Sequence, residues 1–108
     1  MKAIEYPKLL ASAIAVLKRQ GVISYPTEGV WGLGCDPMSE VAVRKVLRLK
    51  NRSISKGLIL IGSSHQQFAR LLEDLDDRLK RRFVAKRSKP TTWLLPSNDT
   101  IPPWITGN

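Results

Sequence analysis

The stretch from Lys56 to Gly62, "KGLILIG", limits the fold more than any other. Its four consecutive large apolar residues lie between two glycines, a strand-sized run rather than a helical one. A strand apolar on both sides is of the type covered on both faces. The rest of the chain offers helices to cover it. From Pro7 to Gln20, Leu10, Ala13, Ile14 and Leu17 recur on one helical face, with Pro7 suited to a first turn and Gly21 to the stop. Ser39 can cap a helix from Glu40 to about Asn51, with Ala42, Val43, Val46, Leu47 and Leu49 as its buried side. Ser64 caps another with Phe68, Leu71, Leu72 and Leu75 inward, and Asp76 to Ala85 continues helical with Leu79, Phe83 and Val84 apolar.

Between these lie further strand patterns. "VISY" (22–25) and "TTWLLP" (91–96) read as strands, Arg52 to Ser55 as a loop, and "IPPWITGN" as a turn leading to an edge segment. "SYPTEGVWGLGCD", Ser24 to Asp36, reads as a Gly-rich loop between strand and helix. Alternating helices and strands favour an α/β sheet with flanking helices. At 108 residues, residues 1–108 form one domain at most. A hydrophobic content of 43% with 25% charged residues is that of a globular chain. No apolar run approaches a membrane span, and Glu5 and Pro7 interrupt any signal-peptide pattern. With one cysteine, Cys35, an internal disulfide is excluded, and a cytoplasmic location is the expectation.

The usual catalytic sets are missing. His65 is the only histidine, so neither a metal site nor a Cys/His nucleophile is supported. Cys35 beside Gly34 reads as a small packed residue, and the acidic run Glu73, Asp74, Asp76 and Asp77 as helix capping and solvation. The net charge of +9 points instead to an anionic partner, nucleotide or nucleic acid, or else to a solvated basic face. One basic block holds Arg44, Lys45, Arg48, Lys50, Arg52 and Lys56; another runs from Arg78 to Lys89. Lys50, Arg52 and Lys56 surround one strand-entry loop, where three cations can hold a polyphosphate and stabilise charge developing on it. Arg52 offers a planar fork, the lysines point charges. No Walker-type loop is present, and "GLG" (32–34) alone is equally a flexible turn.

In this order, "SYPTEGVWGLGCDP", "LKNR" (49–52) and "KGLILIG" resemble the YrdC/TsaC family of threonylcarbamoyl-AMP synthases, with "TTWLLP" and "WITG" similar to the stretch that follows. The resemblance covers about residues 9 to 107. It implies a twisted mixed α/β sheet of the YrdC/RibB-like type, with a deep basic groove. It also implies an L-threonylcarbamoyladenylate synthase, a nucleotidyltransferase joining L-threonine, bicarbonate and ATP into threonylcarbamoyl-AMP and pyrophosphate. That product serves modification of the adenosine next to the anticodon in certain tRNAs, with the other threonylcarbamoyl-transfer proteins as further partners. Carried over by position, Lys50 and Arg52 are the K-x-R pair on the ATP phosphates, Lys56 and Thr92 lie on the nucleotide side, and Thr27 lines the threonine site. No side-chain nucleophile is implied. Threonine's amine captures bicarbonate or CO2, the carbamate attacks the α-phosphorus, and the protein orients and neutralises charge, with Mg2+ on the phosphates.

The pattern departs from the family in two places. The family's W-P-G-P is here "RSKP", Arg87 to Pro90. The family domain also continues past residue 108, through an R-V-x-x-H-P strand and an S-x-N motif. The chain is therefore expected to be an N-terminal fragment, a truncated reading frame or a shortened version, incomplete at its C-terminus and inactive by itself. The alternative is a module holding tRNA or double-stranded RNA on its basic surface without completing catalysis. A YrdC-like domain of a HypF-type maturation protein is a third reading, but neither an acylphosphatase-like nor a zinc-finger region accompanies it.

Overall fold

The computed structural model describes residues 7–27, 29–85 and 91–107. Helix α1 (Pro7–Lys18) opens on Pro7 as the sequence suggests. Its end differs from expectation: the left-handed residue is Gln20, φ 62°, and not Gly21. The Gln20 N–H donates to the Leu17 carbonyl (3.2 Å) and the Gly21 N–H to that of Val16 (2.9 Å), the two bonds of a Schellman stop. Gln20 also ties α1 to the next helix. Its Nε2 donates to Ser39 Oγ at 2.8 Å, and its carbonyl accepts from Lys45 Nζ at 3.0 Å. No residue of α1 is buried: Ala13 and Leu17 are half-buried, while Leu10 and Ile14 stay exposed.

The Gly-rich stretch is a hairpin. Strands β1 (Ile23–Pro26) and β2 (Trp31–Gly34) pair antiparallel, with Tyr25 opposite Gly32 and Ile23 opposite Gly34. The loop expected over 24–36 is thus half strand. The two glycines of β2 are filled against, not empty: a Cβ on Gly34 would meet the Tyr25 ring at 2.8 Å, and one on Gly32 at 3.0 Å. Thr27 organises the turn. Its hydroxyl donates to the Val30 carbonyl and accepts from the N–H groups of Gly29 (3.3 Å) and Val30 (3.1 Å).

Helix α2 (Glu40–Leu49) follows the sequence closely. Ser39 Oγ accepts from the Ala42 N–H at 3.2 Å, which satisfies one orphan donor of the first turn. Ala42, Val43, Val46 and Leu47 are buried; Leu49, expected among them, is 66% exposed because it has turned past the core face. The helix closes on a second Schellman stop. Asn51 is left-handed (φ 50°), its N–H donates to Arg48 (3.1 Å), and the Arg52 N–H donates to Leu47 (2.9 Å). A short 3-10 helix, Ile54–Lys56, occupies part of the expected loop.

The core cluster joins Val43 and Leu47 to Ile105, with Cys35, Ile54, Leu58, Leu60, Ile101 and Trp104 packed around it. Each fully buried aliphatic side chain there contributes about 1.5–3 kcal/mol. Ile105 lies in helix α5 (Pro103–Thr106), where the sequence suggested an edge segment. Pro103 at the first helical position favours the turn.

The run after Lys56 is not a laddered strand. Its side chains do alternate: Leu58 and Leu60 pack on the core, while Ile59 and Ile61 are 72% and 71% exposed. A ladder needs a neighbouring strand, and the Leu58 N–H instead meets the Ile105 carbonyl of α5 at 2.8 Å. One face is therefore covered where the sequence called for two. Residues 91–96 likewise form no ladder, and Leu94 is wholly exposed.

Ser64 leads into a 3-10 turn (His65–Phe68), helix α3 (Ala69–Leu72) and then α4 (Asp77–Val84). Gln67 Oε1 accepts from the Ser63 N–H (2.6 Å) and the Ser64 N–H (3.4 Å). Leu72 and Leu75 are buried as expected, Phe68 and Leu71 partly so. Asp76 caps α4 through the Leu79 N–H at 2.8 Å. The Phe83 ring meets Phe68 edge-on at 5.9 Å and Trp93 at 5.7 Å, which holds 91–95 beside α4. Asn98 Nδ2 donates to the Arg70 carbonyl (3.0 Å) and Asp74 (3.1 Å), fastening the following turn to α3. The fold is mixed α/β. Among the described residues its hydrogen-bonded sheet has only two antiparallel strands, β1 and β2, fewer than the twisted mixed sheet expected.

Candidate functional site

A groove of about 1130 Å3 opens between the run after Lys56 and residues 91–95. Arg52 and Lys56 line it, as do Thr91 and Thr92, and Leu58 to Ile61 supply apolar surface. His65, Phe68 and Phe83 also line it. It combines cations, hydroxyls and apolar surface, which suits a ligand with a charged end and a flat or apolar end.

The position of Arg52 follows from local structure. The left-handed Asn51 ends the helix between the two cations of "KNR", with Lys50 as the last cap residue and Arg52 just beyond the turn. Arg52 and Lys56 reach the groove; Lys50 is not among its lining residues. The Arg52 Nε donates to the Gly57 carbonyl at 3.2 Å, which leaves the guanidinium's terminal amines as the edge available to an anion. Lys56 ends the 3-10 helix four residues on, its N–H bonded to the Ser53 carbonyl at 3.2 Å. Two of the three cations singled out in the sequence thus line one groove, together with Thr92.

Thr27 lies in the hairpin turn and is not among the groove's lining residues; its hydroxyl bonds to the turn's own backbone. Glu28, and Arg87 to Pro90 of "RSKP", lie outside the described residues. The outer face of α2 carries exposed Arg44 and Arg48, with Arg44 paired to Glu40 at 3.5 Å. Burial pushes the Cys35 thiol above its ordinary pKa, and the neighbouring Asp36 charge adds to this, so the thiol stays protonated and weakly nucleophilic. Sequence reasoning missed the pairing of "WGLG" with "ISYP". The signal was there: two short stretches separated by four residues including a glycine are hairpin spacing.

A family model described as "Telomere recombination", for Sua5, YciO and YrdC, matches residues 15–108. The chain belongs to that Sua5/YciO/YrdC family. It is 48% identical over 95 residues to the threonylcarbamoyl-AMP synthase of Pseudomonas paraeruginosa, covering 88% of this chain and 51% of that protein. With the threonylcarbamoyl-AMP synthase of Stutzerimonas stutzeri it shares 50% identity over 92 residues, 85% of this chain and 50% of the relative. The protein of the same name from Cellvibrio japonicus is 46% identical over 95 residues, 88% of this chain and 50% of its own length. The chain therefore spans about half the length of the curated relatives it matches. Among the described residues, no helix is long and apolar enough to cross a membrane.

Proposed function

We propose that this chain forms the phosphate-holding part of a threonylcarbamoyl-AMP synthase. The observation that carries the reading is the shared groove: Arg52 and Lys56 line it together with Thr92, in a chain nearly half identical to proteins of that name. ATP, entering with its Mg2+ as substrate, places its triphosphate against Arg52 and Lys56, and its base toward the apolar surface. Lys50, at the exposed end of α2, adds charge from outside the groove. L-threonine sits on the hairpin side near Thr27. Its amine takes up bicarbonate or CO2 as the carbamate, whose oxygen attacks the α-phosphorus and displaces pyrophosphate. The chain's cations orient the phosphates and neutralise charge on the leaving group. The product serves tRNA threonylcarbamoylation.

The test is pyrophosphate release from ATP, measured in this chain alone and in this chain joined to the remaining half of the P. paraeruginosa relative. The joined protein is expected to release pyrophosphate only when L-threonine and bicarbonate are both present. A folded joined protein that releases none, or releases it without threonine, contradicts the proposal.

A second reading, an RNA-holding surface, is favoured by the net charge of +9 and the exposed Arg44 and Arg48. It calls for binding of tRNA that falls steeply with salt and shows little sequence preference.

A further inference from the structure

We infer that Gly57 and Gly107 are positioning residues that aim Arg52 at the anion it holds, an inference that rests on the phosphate reading of the groove. The two glycines mark a point where two backbones cross. Both have φ of 73°, a region that side-chain-bearing residues rarely adopt. A Cβ on Gly107 would lie 2.5 Å from the Ser55 carbonyl oxygen and 2.6 Å from the Gly57 nitrogen. A Cβ on Gly57 would lie 2.9 Å from the Thr106 carbonyl oxygen. Neither backbone can be approached this closely by any other residue type.

The crossing is anchored from the α5 side. Ile105 is buried with Val43 and Leu47, and Trp104 Nε1 donates to the Pro37 carbonyl at 2.8 Å. The Leu58 N–H donates to the Ile105 carbonyl at 2.8 Å, one residue beyond Gly57. Helix α5 thus fixes where the Gly57 carbonyl lies. That carbonyl accepts the Arg52 Nε–H at 3.2 Å and so sets the plane of the guanidinium. The backbone of Arg52 is held separately by its bond to Leu47 at the end of α2. Side chain and backbone are therefore fixed from two different elements, and only the first depends on the glycines. This division gives the inference its test.

The experiment measures Mg·ATP affinity by calorimetry together with the Arg52 Nε–Hε NMR signal, in four proteins: native, Gly107→Ala, Arg52→Lys and the double variant. Lysine keeps the charge but has no Nε–H to bond Gly57. Gly107→Ala is expected to move the Nε–Hε signal to the position of a solvated arginine and to weaken ATP about tenfold, while the Val43 and Val46 amide signals stay in place. The double variant is expected to bind no worse than Arg52→Lys alone, because both changes remove one contact. Additive losses, or an unmoved Nε–Hε signal, overturn the inference. Should Gly107→Ala fail to fold, Trp104→Phe removes the Pro37 bond and keeps a ring in place. It is expected to give the same non-additive pattern at about twofold to threefold, and additivity there is equally decisive against the inference. Failure of the phosphate reading looks different. Arg52→Lys and Arg52→Ala would then leave ATP affinity unchanged while Gly107→Ala still moved the Nε–Hε signal, and the functional part of the inference would fall with that reading.

Discussion

Two apolar regions of this chain reach different ends. Around α2 the apolar residues meet partners: Val43, Leu47 and Ile105 close on one another, with Leu58 and Leu60 added from the run after Lys56. Along the groove they do not. Ile59, Ile61 and Leu94 face outward, on the same segments whose alternate residues are covered. The difference teaches that apolar content commits a segment to burial on one face without saying what lies over the other. In this chain the exposed Ile59, Ile61 and Leu94 line a groove that Arg52 and Lys56 also line.

The largest effect expected from this contrast is on stability. Leu47→Ala should cost roughly 2–5 kcal/mol in urea unfolding, from lost transfer energy and the cavity left behind. Ile59→Ala should stay within about 0.5 kcal/mol. Equal costs at the two positions would mean that the groove lining is covered in solution, and the contrast would break.

Arg52→Ala comes next. It is expected to weaken Mg·ATP by about 1.5–3 kcal/mol, as for hydrogen bonds to a charged group. Lys50→Ala, away from the groove lining, should have a smaller effect. Calorimetry that ranks Lys50 above Arg52 would relocate the phosphate site to the outer end of α2.

Asn51 tests how the two regions are joined. Asn51→Val forces a β-branched residue into the left-handed conformation and should cost about 1–2 kcal/mol, whereas Asn51→Gly should be neutral or slightly stabilising. Thermal unfolding that does not distinguish the two would contradict the Schellman stop that places Arg52.

The smallest effect concerns pH. Cys35 has a raised folded pKa, so its neutral form is the one the fold favours. Its contribution to stability is complete below the unfolded thiol's pKa, and is lost as pH rises through the folded value on the alkaline side. Cys35→Ser should flatten that alkaline loss, and the native thiol should react with disulfide reagents more slowly than a free one. Faster reaction would mean an activated cysteine.

Much of this structure was legible in the sequence, and the exceptions share a cause. The Ser39 cap, four of the five buried α2 positions and the Asp76 cap follow from local rules, and they stand where those rules put them. The miscast elements depend on distant partners. "KGLILIG" and "TTWLLP" have strand composition but, among the described residues, no neighbouring strand to ladder with, and "WITG" becomes helical where Ile105 meets α2. "WGLG" failed the other way, because its glycines read as turn until the Tyr25 ring is seen to occupy the space they leave. Of the groove lining, Arg52, Lys56 and Thr92 were among the residues the resemblance singled out, while Lys50, grouped with them there, is not part of it. The Gly57–Gly107 crossing was not foreseeable, since it joins residues fifty apart and is marked only by two ordinary glycines.

The most direct measurement is a titration of Mg·ATP into 15N-labelled protein, followed by amide NMR. The groove assignment requires shifts at Arg52 to Ser64 and at Thr92, and their loss in Arg52→Ala. Shifts confined to the outer face of α2, around Arg44 and Arg48, or shifts that persist unchanged in Arg52→Ala, would contradict it.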